Sequence, residues 1–419
     1  MRQVARIIVG SLLPGVCGIA LIVGCAPQPI PQFTPSGDLN ALPNDAADDA
    51  ERKELQDLQK QIEKELVVRF GTPTAPILFA DPTADRKTLE RGAQVFELRC
   101  QPCHGVNGDG QGPVAKYLHP APRDYTKGIF KFTSTPYGSK PRHVDLIRTL
   151  KQGVRGTSMP TFDELDPADL EAVADYVINL SQRGEFEQQL VALAKDEGEL
   201  SEDAIKATAE AVNAKWKDAQ SQTVMPLTPM PAMTAETIAK GQELYIQQVC
   251  NKCHGLDGRG GLAGGIDIGK DSWGHTAAAA DLTSGMYRGG GRPIDIYRRI
   301  YSGINGTPMP GFSQVFKDNP ENIWYLVHYV RDLGERRRRN IPPPPAPTAG
   351  ADPHAAAATP ENAPPATPPA PTDGEKAAEP AADAPKADAS AAPAETSAAP
   401  ASEPPADSPP ADKPVGENK

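Results

Sequence analysis

Apolar residues return every third or fourth position through much of the middle of the chain, and that period specifies helices. Leu55, Leu58, Ile62 and Leu66 form one stripe between Asp49 and Leu66, with charges on the other faces. Leu89, Ala93 and Phe96 form a second stripe, and Leu170, Val173, Ala174 and Val177 a third. Further on come Ile205, Ala209, Val212 and Trp216, then Ile238, Gln242 and Tyr245, then Ile323, Leu326, Val327 and Val330. Boundary residues agree with this pattern. Ser201 stands where an N-cap belongs, and Asp166-Pro167 and Asn319-Pro320 each pair a capping side chain with a proline suited to the first helical position. The expected fold class is all-α.

The stripes fall into two matching sets. Cys100, Cys103 and His104 recur as Cys250, Cys253 and His254 after a shift of 150 residues, and Gly156-Thr157-Ser158-Met159-Pro160 recurs at the same shift as Gly306-Thr307-Pro308-Met309-Pro310. The histidine-to-methionine interval is 55 residues in both halves. Gly92 and Gly241 lie in the helix before each pentad, and a capped helix follows each methionine. One ancestral domain of about 100 residues is therefore present twice. The expected organisation is a signal segment over 1–24, a tether with a short helix over 25–82, a first domain over 83–184, a helical linker over 185–233, a second domain over 234–339 and a tail over 340–419. In the linker, Gly184 to Gln220 reads as two helices and 225–233 as an extended connector.

Composition sharpens the two ends. The chain has 419 residues, 45 of them proline, only 5% aromatic, with a net charge of −11. That is too few aromatics for one large core and suits two modest domains. Residues 340–419 hold 21 of the prolines and four basic against twelve acidic residues, a composition that cannot bury enough apolar surface to order itself. The rest is only mildly acidic, so charge gives a nucleic-acid partner no support. Residues 26–44, rich in Pro, Asn and Asp, read as a disordered spacer. Before it, Arg2 and Arg6 precede an apolar run from Ile7 to Gly24, the layout of an export signal. Ile22-Val23-Gly24-Cys25 resembles the lipobox of bacterial lipoproteins, which would make Cys25 the lipid-carrying first residue of the mature chain. An uncleaved anchor helix is the alternative. Either reading puts the body outside the cytoplasm, on the periplasmic side, tethered to a membrane.

The repeated motif carries the chemistry. Cys-x-x-Cys-His on a helix presents two thiols one turn apart, each able to add to a vinyl group of one porphyrin, while the adjacent imidazole faces the iron. A methionine from a loop completes six-coordinate iron on the opposite face. Two covalent haems c are thus expected, attached through Cys100 and Cys103 and through Cys250 and Cys253, with His104 and Met159, and His254 and Met309, as axial ligands. A thioredoxin-like or zinc role for the cysteines leaves the matched histidines and methionines unexplained. Met286 competes with Met309 in the second half, and the equal spacing selects Met309. His119, His143, His275, His328 and His354 have no counterpart between halves and read as surface or satisfied polar residues. Arg123, Arg148 and Arg298 suit haem propionates and suit a solvated surface equally. The run Arg336 to Arg339 fits a helix C-terminus or a docking patch for an acidic redox partner.

These residues, with Gly105 and Gly108-Asp109-Gly110, resemble small c-type cytochrome domains, particularly those grouped with the third subunit of cbb-type cytochrome oxidases. The resemblance covers about half the chain. It implies a few helices around one haem in each half, and it implies that the carbonyl of Gly112-Pro113 orients His104. The second half has no such proline, so a looser His254 is expected. The functional expectation is a membrane-tethered dihaem electron carrier, accepting from a quinol-oxidising complex or dehydrogenase and donating to an oxidase or reductase. Its rivals are a dihaem peroxidase or a dehydrogenase of small sulfur compounds, and a fixed subunit of a respiratory complex.

Overall fold

The computed structural model describes residues 31–261 and 266–342. In chain order its helices are α1 (Gly37–Ala41), α2 (Asp49–Phe70), α3 (Lys87–Arg99), α4 (Gln101–His104), α5 (His143–Gln152), α6 (Pro167–Glu197), α7 (Glu202–Ala219), α8 (Ala235–Gln247), α9 (Asn251–His254), α10 (Pro293–Ser302) and α11 (Asn322–Arg338). A minimal antiparallel ladder joins Gly71–Thr72 to Ala75–Pro76. The expected signal segment with Cys17 and Cys25, His354 and the tail from residue 343 lie outside the described residues. Among the described residues no helix is long and apolar enough to cross a membrane.

Each repeat is built on one close helix crossing, α3 on α6 and α8 on α11. Glycine is required at the contact. A Cβ on Gly92 would stand 2.0 Å from the Ala172 carbonyl oxygen, and one on Gly241 would stand 2.0 Å from that of Tyr325. One turn further, Phe96 meets Tyr176 with ring centroids 5.3 Å apart, and Tyr245 meets Tyr329 at 5.2 Å. Such offset, tilted aromatic pairs add to the burial of the rings themselves. The shorter helices α5 and α10 close the two cores with Leu146 and Leu150, and with Ile296 and Ile300.

A third core lies outside both repeats. Leu39, Leu42, the α2 stripe, the distal half of α6 and the α7 stripe bury one another, with Phe70 stacked on Phe79 at 4.4 Å. Two expectations are corrected here. The described part of the segment read as a free spacer, 31–44, is packed: Leu39 and Leu42 are fully buried, and the Ser36 amide donates to Glu187 at 2.7 Å. Two leucines and a few fixed polar contacts suffice to dock it, although its Pro, Asn and Asp content points to a spacer. The expected break at Gly184 is also absent, because α6 runs unbroken for 31 residues from the first repeat into the third core. Gly184 serves a contact instead, since a Cβ there would meet the Thr126 backbone at 2.4 Å.

The caps follow the sequence in part. Asp48, Asp166 and Ser201 accept amide hydrogen bonds at the starts of α2, α6 and α7. At the last helix, Asn319-Pro320 forms a preceding turn in which the Asn322 amide donates to the Asn319 carbonyl at 3.1 Å, so α11 begins beyond it.

Candidate functional site

In each repeat the pentad follows the first helix as a single helical turn, α4 or α9, ending at a glycine with positive φ (Gly105 at 75°, Gly255 at 73°). The turn presents both thiols and the imidazole from one short element. Cys100, Cys103, Cys250 and Cys253 form no disulfide with one another. Burial pushes the Cys100 thiol up to about 12 and the Cys250 thiol up to about 11, which keeps both protonated. Among the described residues no group of three or more His, Cys, Asp or Glu side chains gathers as a metal cage, so the four cysteines do not converge on one zinc-like centre.

The two histidines are held alike. His104 donates from Nδ1 to the Arg123 carbonyl at 3.0 Å, and His254 donates from Nδ1 to the Ala280 carbonyl at 3.1 Å. A carbonyl can only accept, so the proton is fixed on Nδ1 and Nε2 carries the lone pair; in the first repeat that lone pair accepts from the Tyr125 hydroxyl at 3.1 Å, a bond that metal ligation would have to replace. Burial lowers the pKa of both imidazoles, which keeps them neutral as ligation requires. This arrangement corrects the expectation drawn from Gly112-Pro113. Gly112 instead packs against the pentad, where a Cβ would meet the Pro102 carbonyl oxygen at 2.3 Å. The second histidine keeps the same kind of partner without the proline, because that partner is a backbone carbonyl, but it is more exposed than the buried His104.

Around that carbonyl the repeats share a motif that the 150-residue shift hides. Asp124 accepts from the amide and hydroxyl of Thr126 at 2.8 and 2.6 Å, and Asp281 does the same with Thr283 at 2.9 and 2.6 Å. The Tyr125 amide donates to Gly108 and the Leu282 amide to Gly258, at 2.6 and 2.7 Å. The shift here is 157, because the second repeat has a longer loop. Two substitutions make the sites unequal. The Tyr125 hydroxyl lies 3.1 Å from His104 Nε2 and its ring stacks on the imidazole at 4.7 Å, where the second repeat has Leu282. Arg337 donates to Asp281 and Thr283 at 2.7 and 2.9 Å in the second repeat, where the first presses Gly184 on Thr126.

The methionine loops are near copies. The Val154 amide donates to the Met159 carbonyl at 3.2 Å, and the Met159 amide donates to Thr157 Oγ1 at 3.2 Å. The Ile304 amide and Met309 carbonyl pair at 3.1 Å, and the Met309 amide and Thr307 Oγ1 at 3.2 Å. Gly153 and Gly303 turn the chain with φ of 61° and 71°, and a Cβ at either would strike the methionine's own carbonyl. Met159 packs in the same apolar cluster as Cys100, and Cys250 packs on the second repeat's core. Met286 is exposed on the surface. Two thiols, a neutral imidazole with its lone pair on Nε2, and a thioether on a loop form a donor set that fits a covalently attached haem in each repeat, the first once the Tyr125 hydroxyl gives up His104 Nε2.

The other candidates have different employment. Arg148 donates to the Phe132 carbonyl at 2.7 Å and pairs with Asp145, and Arg298 donates to the Val224 carbonyl at 3.2 Å. Arg336 pairs with Asp332, Arg337 with Asp281, and Arg338 and Arg339 with Glu335, so the arginine run is largely neutralised by its own helix and the neighbouring loop. His143 pairs with Asp175 at 3.0 Å, and His328 is fully buried with Nδ1 on Thr237.

The cytochrome c family model matches residues 89–181 and again 238–334. No curated protein matches the chain. Among solved structures, a chain of the Kuenenia stuttgartiensis reducing HAO-like protein complex is 31% identical, with 58% of this chain and 96% of that chain covered and a TM-score of 0.46.

Proposed function

We propose that this chain, which carries two cytochrome c domains and with them the haem-based electron transfer of that family, is a membrane-tethered relay of single electrons. Cys100 and Cys103 would hold the first haem, with His104 and Met159 as the ligands offered to its iron. Cys250 and Cys253 would hold the second, with His254 and Met309. The bound haem supplies a reversible one-electron iron couple. The chain supplies what tunes it. The Arg123 and Ala280 carbonyls hold each imidazole in one tautomer and one orientation. The Thr157 and Thr307 turns present each methionine from a fixed loop. Apolar clusters pack on Cys100 and Met159 in the first repeat and on Cys250 in the second.

The observation that carries this reading is the duplicated geometry, a His–carbonyl bond and a methionine loop that agree between repeats to within 0.1 Å in their matched hydrogen bonds. A methionine in each repeat would leave neither site an open position, which favours a carrier over a peroxidase or a sulfur-compound dehydrogenase. The donor is a quinol-oxidising complex or dehydrogenase and the acceptor an oxidase or reductase, outside the cytoplasm. Lipid on Cys25 anchors the body. Cys25 precedes the docked Phe33 by eight residues, so the leash spans at most about 28 Å.

The absorption spectrum of the purified mature protein, oxidised and reduced, tests this together with covalent haem counted per chain. Two low-spin haems with the sulfur-to-iron charge-transfer band are expected, and Met159→Ala and Met309→Ala each remove about half of that band. A high-spin haem that takes up added ligand in the unaltered protein would overturn the carrier reading. Mass analysis of the mature N-terminus tests acylation of Cys25.

A further inference from the structure

Between the pentad and the His-orienting carbonyl, the second repeat carries seven residues more than the first. The extra length forms a tight turn. The Asp271 amide donates to the His275 carbonyl at 2.8 Å, and Asp271 Oδ1 accepts from the amides of Trp273 and His275 at 3.1 and 3.0 Å. Trp273 stands at the tip of this turn and meets the first repeat. Its Nε1 donates to the Asp124 carbonyl at 3.3 Å, and the Arg123 guanidinium lies over its ring 3.7 Å from the centroid. Arg123 and Asp124 belong to the strip of chain whose carbonyl holds His104. The turn is pinned in place by the Lys131–Asp271 pair at 3.0 Å, with side chains 20% and 7% exposed, and by Lys127 donating to the Ser272 carbonyl at 2.8 Å.

The far edge of the same indole faces the other site. A Cβ on Gly306 would stand 2.8 Å from two of its ring carbons, and the Ser272 amide donates to the Gly306 carbonyl at 3.0 Å. Gly306 opens the loop that ends in Met309. One side chain therefore touches the element that orients the histidine of one site and the element that presents the methionine of the other.

We infer that Trp273 is the positioning residue that couples the two haem sites, holding the histidine side of the first against the methionine side of the second for direct electron exchange between them. The inference rests on the carrier reading. One electron leaves one site and arrives at the other, the first oxidised as the second is reduced, with no bond or proton exchanged and Trp273 itself unchanged. The loop is a feature of one repeat because one wedge serves both sites. Arginine on the indole face adds a cation–π contact that keeps the ring from turning.

The test uses the full-length, haem-loaded protein with Trp273→Leu, Trp273→Phe and Lys131→Met. A laser-triggered one-electron reductant loads one site, and absorbance follows redistribution to the other. Trp273→Leu is expected to keep two covalent haems while redistribution slows about tenfold or more, with Trp273→Phe within about threefold of the unaltered rate, since misplacement of positioned groups by about an ångström has effects of this size. Amide hydrogen exchange at Ser272 is expected to quicken in Trp273→Leu and, because Lys131 also pins this turn, to a smaller extent in Lys131→Met. An unaltered redistribution rate in Trp273→Leu would overturn the inference, and so would equal slowing in Lys131→Met, which would assign the effect to docking of the loop in general. Fewer than two covalent haems in the unaltered protein would instead overturn the carrier reading beneath it.

Discussion

Replacing Gly92 by alanine tests the helix crossing on which the first repeat is built. The new methyl carbon would lie 2.0 Å from the Ala172 carbonyl oxygen, about 1.5 Å inside the roughly 3.5 Å at which such atoms rest. The obstacle is helix backbone, so no side chain can swing aside and α3 must move off α6. Overpacking of this kind costs about 1–3 kcal/mol, and the upper end applies where backbone is struck. Helix propensity works the other way, alanine gaining about 1 kcal/mol over glycine in a helix interior. The net expectation is a loss of about 2 kcal/mol, or about 8–16 °C in melting temperature for a repeat of about 100 residues. Gly241→Ala should do the same in the second repeat, where the Tyr325 carbonyl stands 2.0 Å from the added carbon. Gly37 supplies the contrast, being helical with nothing within 4 Å of an added Cβ, so Gly37→Ala should be neutral or slightly stabilising. Thermal and urea denaturation of the haem-loaded protein, followed by helical circular dichroism, would read all three. If Gly92→Ala melts at or above the unaltered protein while Gly37→Ala behaves alike, the close crossing does not hold the domain together.

Three further outcomes are expected. Glu185 accepts from the Trp216 indole at 3.0 Å and pairs with Lys140 at 2.7 Å, both acidic and basic side chains nearly buried, so Glu185→Ala strands a lysine and should cost about 3–5 kcal/mol in urea denaturation, whereas Glu185→Gln should cost less. His143 has its pKa raised above the ordinary 6.5, first by its hydrogen bond to Asp175 and then by the nearby carboxylate charges, against the opposing effect of burial. Its contribution to stability is therefore complete below pH 6.5 and fades as the pH climbs through the higher folded value, a slope that His143→Gln should remove from a stability–pH series. Arg337→Ala frees Asp281 and Thr283 beside the carbonyl that holds His254; the arginine is half-exposed, so global stability should fall by under about 1 kcal/mol, while hydrogen exchange at the Leu282 amide quickens and that at Tyr125 does not change.

The sequence disclosed the site better than it disclosed what supports the site. The Cys-x-x-Cys-His pentads and the Gly-Thr-x-Met loops are legible because side-chain identity does the work there and because the two copies keep one shift. The atom that orients each histidine is a main-chain oxygen, borne by arginine in one repeat and alanine in the other, and no comparison of residue types can find it. The Asp-x-Thr turn around it does repeat, but the loop carrying Trp273 changes the shift from 150 to 157 and takes the turn out of register. The apolar stripes forecast the helix faces correctly, Leu170 through Val177 among them, since burial selects for period. Gly184 misleads for a physical reason: inside a helix it signals either a break or a close neighbour, and only the approach of Thr126 decides between them. The docking of residues 31–44 was invisible because it depends on partners far along the chain, Asn107 and Glu187 among them.

The unbroken α6 is about 46 Å long at the usual rise per residue. Its near half walls the first haem site and its far half anchors the bundle formed with α2 and α7, so the two share one girder and have no joint between them. Whatever grips that bundle, a membrane face or a partner protein, thereby fixes the bearing of the first haem as a handle fixes the bearing of a blade. Orientation at the point of electron delivery is then settled at a distance, by how the far end of α6 is held.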